Sequence, residues 1–186
     1  MLSLVLYLLS LWGIAVIGVM AAISDWRGMT IPNHYPLIIL GLFPVAYAAA
    51  YFGGNDLIFS EVTSHLTAAG TVFAATLLLY FAIRFGAGDS KLMTAYAIWF
   101  TPSLLIPFLF YMTVIGFFLA LGALIMKRFP EGRLSKEGDS WPARIARGEN
   151  AVPYGIAISG GAIVAFLSQG YVAPSALQCF LQTSCL

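Results

Sequence analysis

The stretch LMTAYAIWFTPSLLIPFLFYMTVIGFFLALGALIM, residues 92–126, runs for 35 positions without an Asp, Glu, Lys or Arg. As one helix it would be about 52 Å long, against a bilayer hydrocarbon core of about 30 Å. That is too long for one crossing. Thr101-Pro102-Ser103 and Pro107 interrupt it near its middle, and proline removes a helical donor and clashes with the preceding turn. The stretch therefore predicts a hairpin of two short membrane helices.

Working outward, charge-free runs also cover residues 1–24, 28–55, 62–83 and 150–186. The first three hold one spanning helix each, at about 20 residues per span. The last holds one from about residue 152 to 168, followed by an uncharged tail. The count is six spans. Positive charge tests it, because Lys and Arg collect on the cytoplasmic side. All nine basic residues fall into three groups: Arg27; Arg84 with Lys91; and the segment from Lys127 to Arg147. These groups follow the first, third and fifth spans, so they share one face only if 92–126 crosses twice. The loop between the second and third spans holds Asp56 and Glu61 and no basic residue, which suits the outer side.

Composition agrees. The chain has 186 residues, 60% of them hydrophobic and 9% charged, with a mean hydropathy of +0.89. A soluble domain carries about 25% charged residues, so the solvent of this one is lipid. A net charge of +1 excludes electrostatic binding of nucleic acid. Cys179 and Cys185 are the only cysteines, too few for a disulfide framework or a four-cysteine zinc site. The first run lacks a basic n-region and is longer than the usual apolar core of a signal peptide, so it is taken as a span. The expected fold class is all-α, a polytopic membrane protein of six transmembrane helices with both termini outside. Residues 1–186 form a single transmembrane domain, with an inner loop at 127–150 and an outer tail at 169–186.

Ionisable residues at the membrane boundary are functional candidates by default. Asp25 closes the first helix in Ile23-Ser24-Asp25-Trp26-Arg27-Gly28-Met29-Thr30-Ile31-Pro32-Asn33, and Asp89 opens the fourth in Phe85-Gly86-Ala87-Gly88-Asp89-Ser90-Lys91-Leu92. The topology puts both at similar depth on the inner face. Two carboxyls held together cannot easily both ionise, so one keeps its proton. Such a pair can hold a water, one member taking its proton while the other protonates a carbonyl oxygen. Two other uses compete with that chemistry. Each Asp could form a surface ion pair with Arg27 or Lys91, or the acids could line a path for protons or solutes in a membrane transporter. Gly86 and Gly88 strip side chains from the approach to Asp89 and permit a tight turn beside an extended substrate. The segment lacks the third glycine of GxGxxG and the GK[ST] ending of a Walker loop. Gly28 suits a helix end, and Pro32 the first turn of the next helix. Helix dipoles favour a carboxylate at Asp89 and the protonated acid at Asp25, which would make Asp89 the water-activating base.

At these residues a resemblance becomes specific. Gly86-Ala87-Gly88-Asp89, followed by Lys91-Leu92, resembles the GxGD signature of intramembrane aspartyl proteases. Asp25, six residues before Ile31-Pro32-Asn33, resembles the other half of the type IV prepilin peptidase signature, and Val152-Pro153-Tyr154-Gly155 is similar to a segment of the same family. The resemblance implies an aspartic endopeptidase with Asp25 and Asp89 as catalytic pair. Gly86, Gly88, Lys91, Ile31, Pro32 and Asn33 would form the motif around the approaching substrate. It implies removal of the leader from a prepilin or pseudopilin helix at the cytoplasmic face of a bacterial inner membrane, with no cofactor and no metal. Larger members carry a cytoplasmic insertion with two CxxC pairs and methylate the new N-terminus. This chain lacks those cysteines, so it looks most like the peptidase-only forms of Flp (Tad) pilus systems, with archaeal preflagellin peptidases as neighbours.

The remaining residues have plainer readings. His34 and His65 fall on opposite faces, so they cannot share a metal, and each reads as a capping or interfacial hydrogen bond. Trp12, Trp26, Trp99 and Trp141 read mostly as interfacial anchors and packing. The segment 141–147 could lie on anionic lipid. Gly155, Ser159 and Gly160 fit small-residue helix packing. In the outer tail, Cys179 and Cys185 could form a bridge.

Overall fold

The computed structural model describes residues 1–55, 58–129, 137–150 and 152–181. Among these the chain is all helical: α1 (Leu2–Gly28), α2 (His34–Phe52), α3 (Val62–Ile83), α4 (Ala87–Ala97), α5 (Pro102–Met126), α6 (Trp141–Ala146), α7 (Tyr154–Ser168) and α8 (Pro174–Cys179). Four of them, α1, α2, α3 and α5, are long and apolar enough to cross a membrane. The long neutral stretch is divided, but unequally. The break falls at 98–101, where Pro102 starts α5 as its first helical residue, while Pro107 is carried inside α5. Two short helices were expected; the structure has one of 11 residues and one of 25. The difference arises because a proline early in a helix loses little, the first turn having unmatched N–H groups anyway.

α4 is short because it is enclosed. It packs on α2, α3 and α7, and Leu92, Ala95, Tyr96 and Ala97 are buried, followed without interruption by Ile98, Trp99 and Phe100. It runs antiparallel to α3, from beside Thr76 to beside His65. Its first turn holds Asp89, while its C-terminal end meets the N-terminal turn of α3 through Ile98 O and His65 Nδ1, 2.9 Å. α7 likewise runs from the Asp25 end of α1 to a terminus whose Gln169 donates to Leu104 O, 3.0 Å, in the first turn of α5.

Aromatic rings and backbone carbonyls hold the end remote from Asp89 together. Tyr7 OH donates to Tyr171 O at 2.7 Å, Tyr171 OH to Trp99 O, and Trp99 Nε1 to Ile39 O at 3.1 Å. Phe100 stacks between Phe108 and Phe166, with centroids 5.2 and 4.9 Å away. Of the two roles expected, anchoring and packing, Trp99 takes packing, and so does Trp141, which meets Trp26 edge-on at 5.0 Å. Trp12 and Trp26 remain exposed. His65 is fully buried, bonded to Ile98 O, whereas exposed His34 leans on Tyr35. The tail contains α8, to which Asn55 Nδ2 donates through Ala176 O at 2.6 Å. The pairing of Cys179 with Cys185 concerns a residue, Cys185, outside the described ones.

Small residues set the closest helix approach, as membrane packing favours. The tightest glycine of α7 is Gly161, not Gly160. A Cβ there would lie 2.6 Å from Met112 N and 2.7 Å from its Cα, backbone atoms that cannot swing away. At Gly116 of α5 the nearest atoms would be 3.6 and 3.7 Å off, an ordinary contact. Gly161→Ala is thus expected to part α5 from α7 and cost about 1–3 kcal/mol, as overpacking does, while Gly116→Ala stays near wild type. Thermal unfolding of both variants in detergent checks this; equal midpoints would contradict the close approach.

Candidate active site

The first acid is placed by the end of α1. Met29 caps that helix in the left-handed conformation (φ 51°, ψ 37°), its N–H donating to Asp25 O at 2.8 Å. The helix-ending role expected of Gly28 passes to Met29, and Gly28 is the last helical residue. Ser24 Oγ closes the turn by donating to Thr30 O, 2.9 Å. Pro32 stands just before α2 rather than in its first turn, with Tyr35 N–H donating to Pro32 O at 3.2 Å. Asn33 is the N-cap of α2.

The second acid is placed by the start of α4. Arg84 ends α3 in the left-handed conformation (φ 56°, ψ 43°), and Gly86 is the N-cap of α4. Among the described residues Met29 and Arg84 are the only non-glycines with positive φ. Both stand at the turns that deliver the two aspartates, where stored strain of about 1–2 kcal/mol per residue is tolerated for positioning. Asp89 lies in the first turn of α4, and its carboxyl folds back over Gly86, where any Cβ would collide with Asp89 Oδ2. Two bonds orient that turn: Ser90 Oγ pairs with Thr76 Oγ1 of α3 at 2.7 Å, and Lys91 Nζ donates to Asn33 Oδ1 at 2.8 Å.

Ile31 and Gly155 bring the two halves together. Asp25 is only 5% exposed, and its Oδ2 accepts the Gly155 N–H of α7 at 2.7 Å across 130 residues. A Cβ at Gly155 would sit 3.0 Å from Asp25 Oδ2 and 3.1 Å from Ile31 Cδ1. On its other flank Ile31 lies 3.2 Å from where a Gly88 Cβ would be. Ile31 is thus wedged between the segment carrying Asp89 and the helix holding Asp25. The two acids are carried by segments that meet on either side of Ile31. A pair of acids held in this way can share one proton and polarise a water between them.

The eight residues singled out from sequence are therefore gathered at one end of the bundle. Their environments differ: Asp25 is buried, Asp89 half-buried, and Gly86, Asn33 and Lys91 exposed. The dipole argument that set the acids apart does not survive. Asp25 ends α1, but it also meets the N-terminus of the 15-residue α7, so both acids face a positive helix end. Gly155 has a larger part than the helix packing expected of it, since it donates to Asp25 as well as admitting it. The signal present in the sequence was Val152-Pro153-Tyr154-Gly155, with the glycine two residues after a proline. Nothing in the sequence tied that start to Asp25. Among the described residues no group of three or more His, Cys, Asp or Glu side chains is placed to hold a metal.

Comparison with curated proteins and with solved structures returns no match. Comparison with protein families does: residues 4–121 match the type IV leader peptidase family, Peptidase_A24. That region covers more than half of the chain and contains Ile31 and both aspartates, while Gly155 lies beyond it. The chain belongs to the type IV leader peptidase family, a family of proteases.

Proposed function

We propose that the protein is a membrane aspartic endopeptidase that removes the leader from prepilins or pseudopilins at the cytoplasmic face of a bacterial inner membrane. Asp25 and Asp89 would act as a dyad on one water, in a peptidase-only form without methyltransferase activity. The carrying observation is the wedge of Ile31 between Gly88 and Gly155, which joins the two aspartate segments. In this reading one carboxylate takes a proton from the water as it attacks the scissile carbonyl. The other acid protonates the carbonyl oxygen, and the proton returns to the departing amine. Burial of Asp25 suits the chemistry, because interactions with developing charge strengthen where water is excluded.

The membrane setting follows the same logic. The six helices α1, α2, α3, α4, α5 and α7 would be the six spans, the two short ones enclosed by the others. Arg27, Arg84, Lys91 and the 127–150 segment would face the cytoplasm, and the Flp (Tad) pilus systems are the setting that the missing CxxC pairs favour.

Three outcomes are expected. Asp25→Asn and Asp89→Asn should each lower cleavage of a purified prepilin by about a thousandfold or more, since members of such a unit fail singly. Membrane insertion should be unchanged; cleavage by either variant at wild-type rate would remove the dyad. Gly155→Ala should keep both acids but displace Asp25 and Ile31, lowering kcat by about 10- to 100-fold, the scale for ångström misplacement. Single-turnover cleavage measures it, and an unchanged kcat would separate Gly155 from the chemistry. For topology, single cysteines at Ser60 and Asp139, both exposed, report opposite sides in a chain free of other cysteines. An impermeant thiol reagent on intact cells should label Ser60→Cys and spare Asp139→Cys. The reverse pattern would turn the site away from the cytoplasm.

A further inference from the structure

α6 is only six residues long, too short to be stable as an isolated helix, so groups outside it must hold it in place. On its outer side Arg144 and Arg147 both pair with Glu149, at 3.1 and 3.2 Å, and Arg147 also reaches Asp139 at 3.7 Å. These three pairs are open to solvent, where ion pairs contribute little, and they close the segment on itself without reaching the rest of the bundle. The attachment is apolar. Trp141 and Ile145 are 4% and 3% exposed and pack with Ala123 of α5 in a small cluster separate from the main core.

Two residues packed on that cluster bear on Asp25. One is Met29, the left-handed cap of α1 whose N–H donates to Asp25 O. The other is Val152, just before the N-cap of α7, the helix whose Gly155 N–H holds Asp25 Oδ2. Trp26, next to Asp25 in the chain, meets the Trp141 ring edge-on. Glycine is the usual occupant of a left-handed helix cap, because it has no Cβ to strain. α1 has a methionine there, with Gly28 immediately before it. Its strain is offset through its side chain, which the Trp141 cluster holds. Resting on the peptidase reading above, we propose that Trp141 is a positioning residue for Asp25: through Met29 and Val152 it clamps the end of α1 to the start of α7. Trp141 touches neither substrate nor water in this scheme. Its loss is felt in the placement of Asp25 and not in substrate binding.

The test uses the full-length protein in proteoliposomes and a synthetic prepilin peptide comprising leader, scissile bond and apolar segment. Trp141→Ala should lower kcat about 10- to 100-fold, the scale of ångström misplacement, and change KM less than about threefold. Trp141→Phe keeps a ring in the cluster and should stay within about fivefold of the wild-type kcat. Met29→Gly separates side chain from backbone. It suits the left-handed cap yet removes what Trp141 holds, so it should lower kcat as Trp141→Ala does; if the cap alone mattered, glycine would serve at least as well. Arg147→Gln, on the outer side, should change kcat less than about threefold. Deuterium exchange adds a readout that needs no substrate: the Met29 and Gly155 amides should exchange about tenfold faster in Trp141→Ala, while those of α2 keep their wild-type rates. Unchanged exchange or unchanged kcat in Trp141→Ala would overturn the inference while the peptidase reading stands. So would a wild-type kcat in Met29→Gly, or a loss in Arg147→Gln as large as in Trp141→Ala. If wild type cleaves no peptide, the peptidase reading fails and takes the positioning role of Trp141 with it.

Discussion

The hydrogen bond from Gly155 N–H to Asp25 Oδ2, 2.7 Å long and buried, is the joint on which the aspartate end of the bundle turns. The first N–H groups of any helix have no partner within it, and leaving such a donor buried and unpaired costs about 1–3 kcal/mol. A buried carboxylate is costlier still unless hydrogen bonded. Each need meets the other here, so α7 is held against the end of α1 by groups that neither helix could leave unmatched. The absence of a side chain at Gly155 makes the approach possible, with Asp25 Cβ and Ile31 Cδ1 standing about where a methyl group would go. Ile31 then carries the constraint across to Gly88, and through it to the turn that presents Asp89.

The two ends of the bundle are built differently. At the end away from the aspartates, Tyr7, Tyr171, Trp99 and Ile39 form a chain of side chain to carbonyl bonds linking α1, the tail, the α4–α5 break and α2. Asn55 and His65 add two more, and the space between is filled with rings. In an apolar medium every polar group of an irregular segment must find a partner inside the protein, and the break at 98–101 does so through this chain. The aspartate end keeps exposed surface beside Asp89, at Gly86 and Lys91.

Much of this was legible in the residue order. The charge-free runs are local features, and lipid penalises a misplaced charge heavily enough that they read almost directly as apolar helices. Both acids were visible because ionisable residues are rare where the chain is apolar. The proline break after Phe100 was visible too, although the unequal lengths of α4 and α5 were not, since an enclosed helix need not match the bilayer. For Trp99 and Trp141 the sequence left anchoring and packing undivided for a related reason. A tryptophan beside a charged loop looks the same whether its ring faces headgroups or another helix.

By itself, the sequence determined that the chain is helical and apolar, that its polar chemistry is confined to a few short segments, and that Asp25 and Asp89 stand in two of them. These follow from composition and spacing, which act over one or two helical turns. Only the tertiary structure decided that Ile31 and Gly155 join those segments, that both acids face a helix N-terminus, and that Met29 and Val152 pack on the cluster around Trp141. Such features depend on which helix ends meet, and that is set by close packing at glycines such as Gly155 and Gly161 between parts of the chain far apart in order.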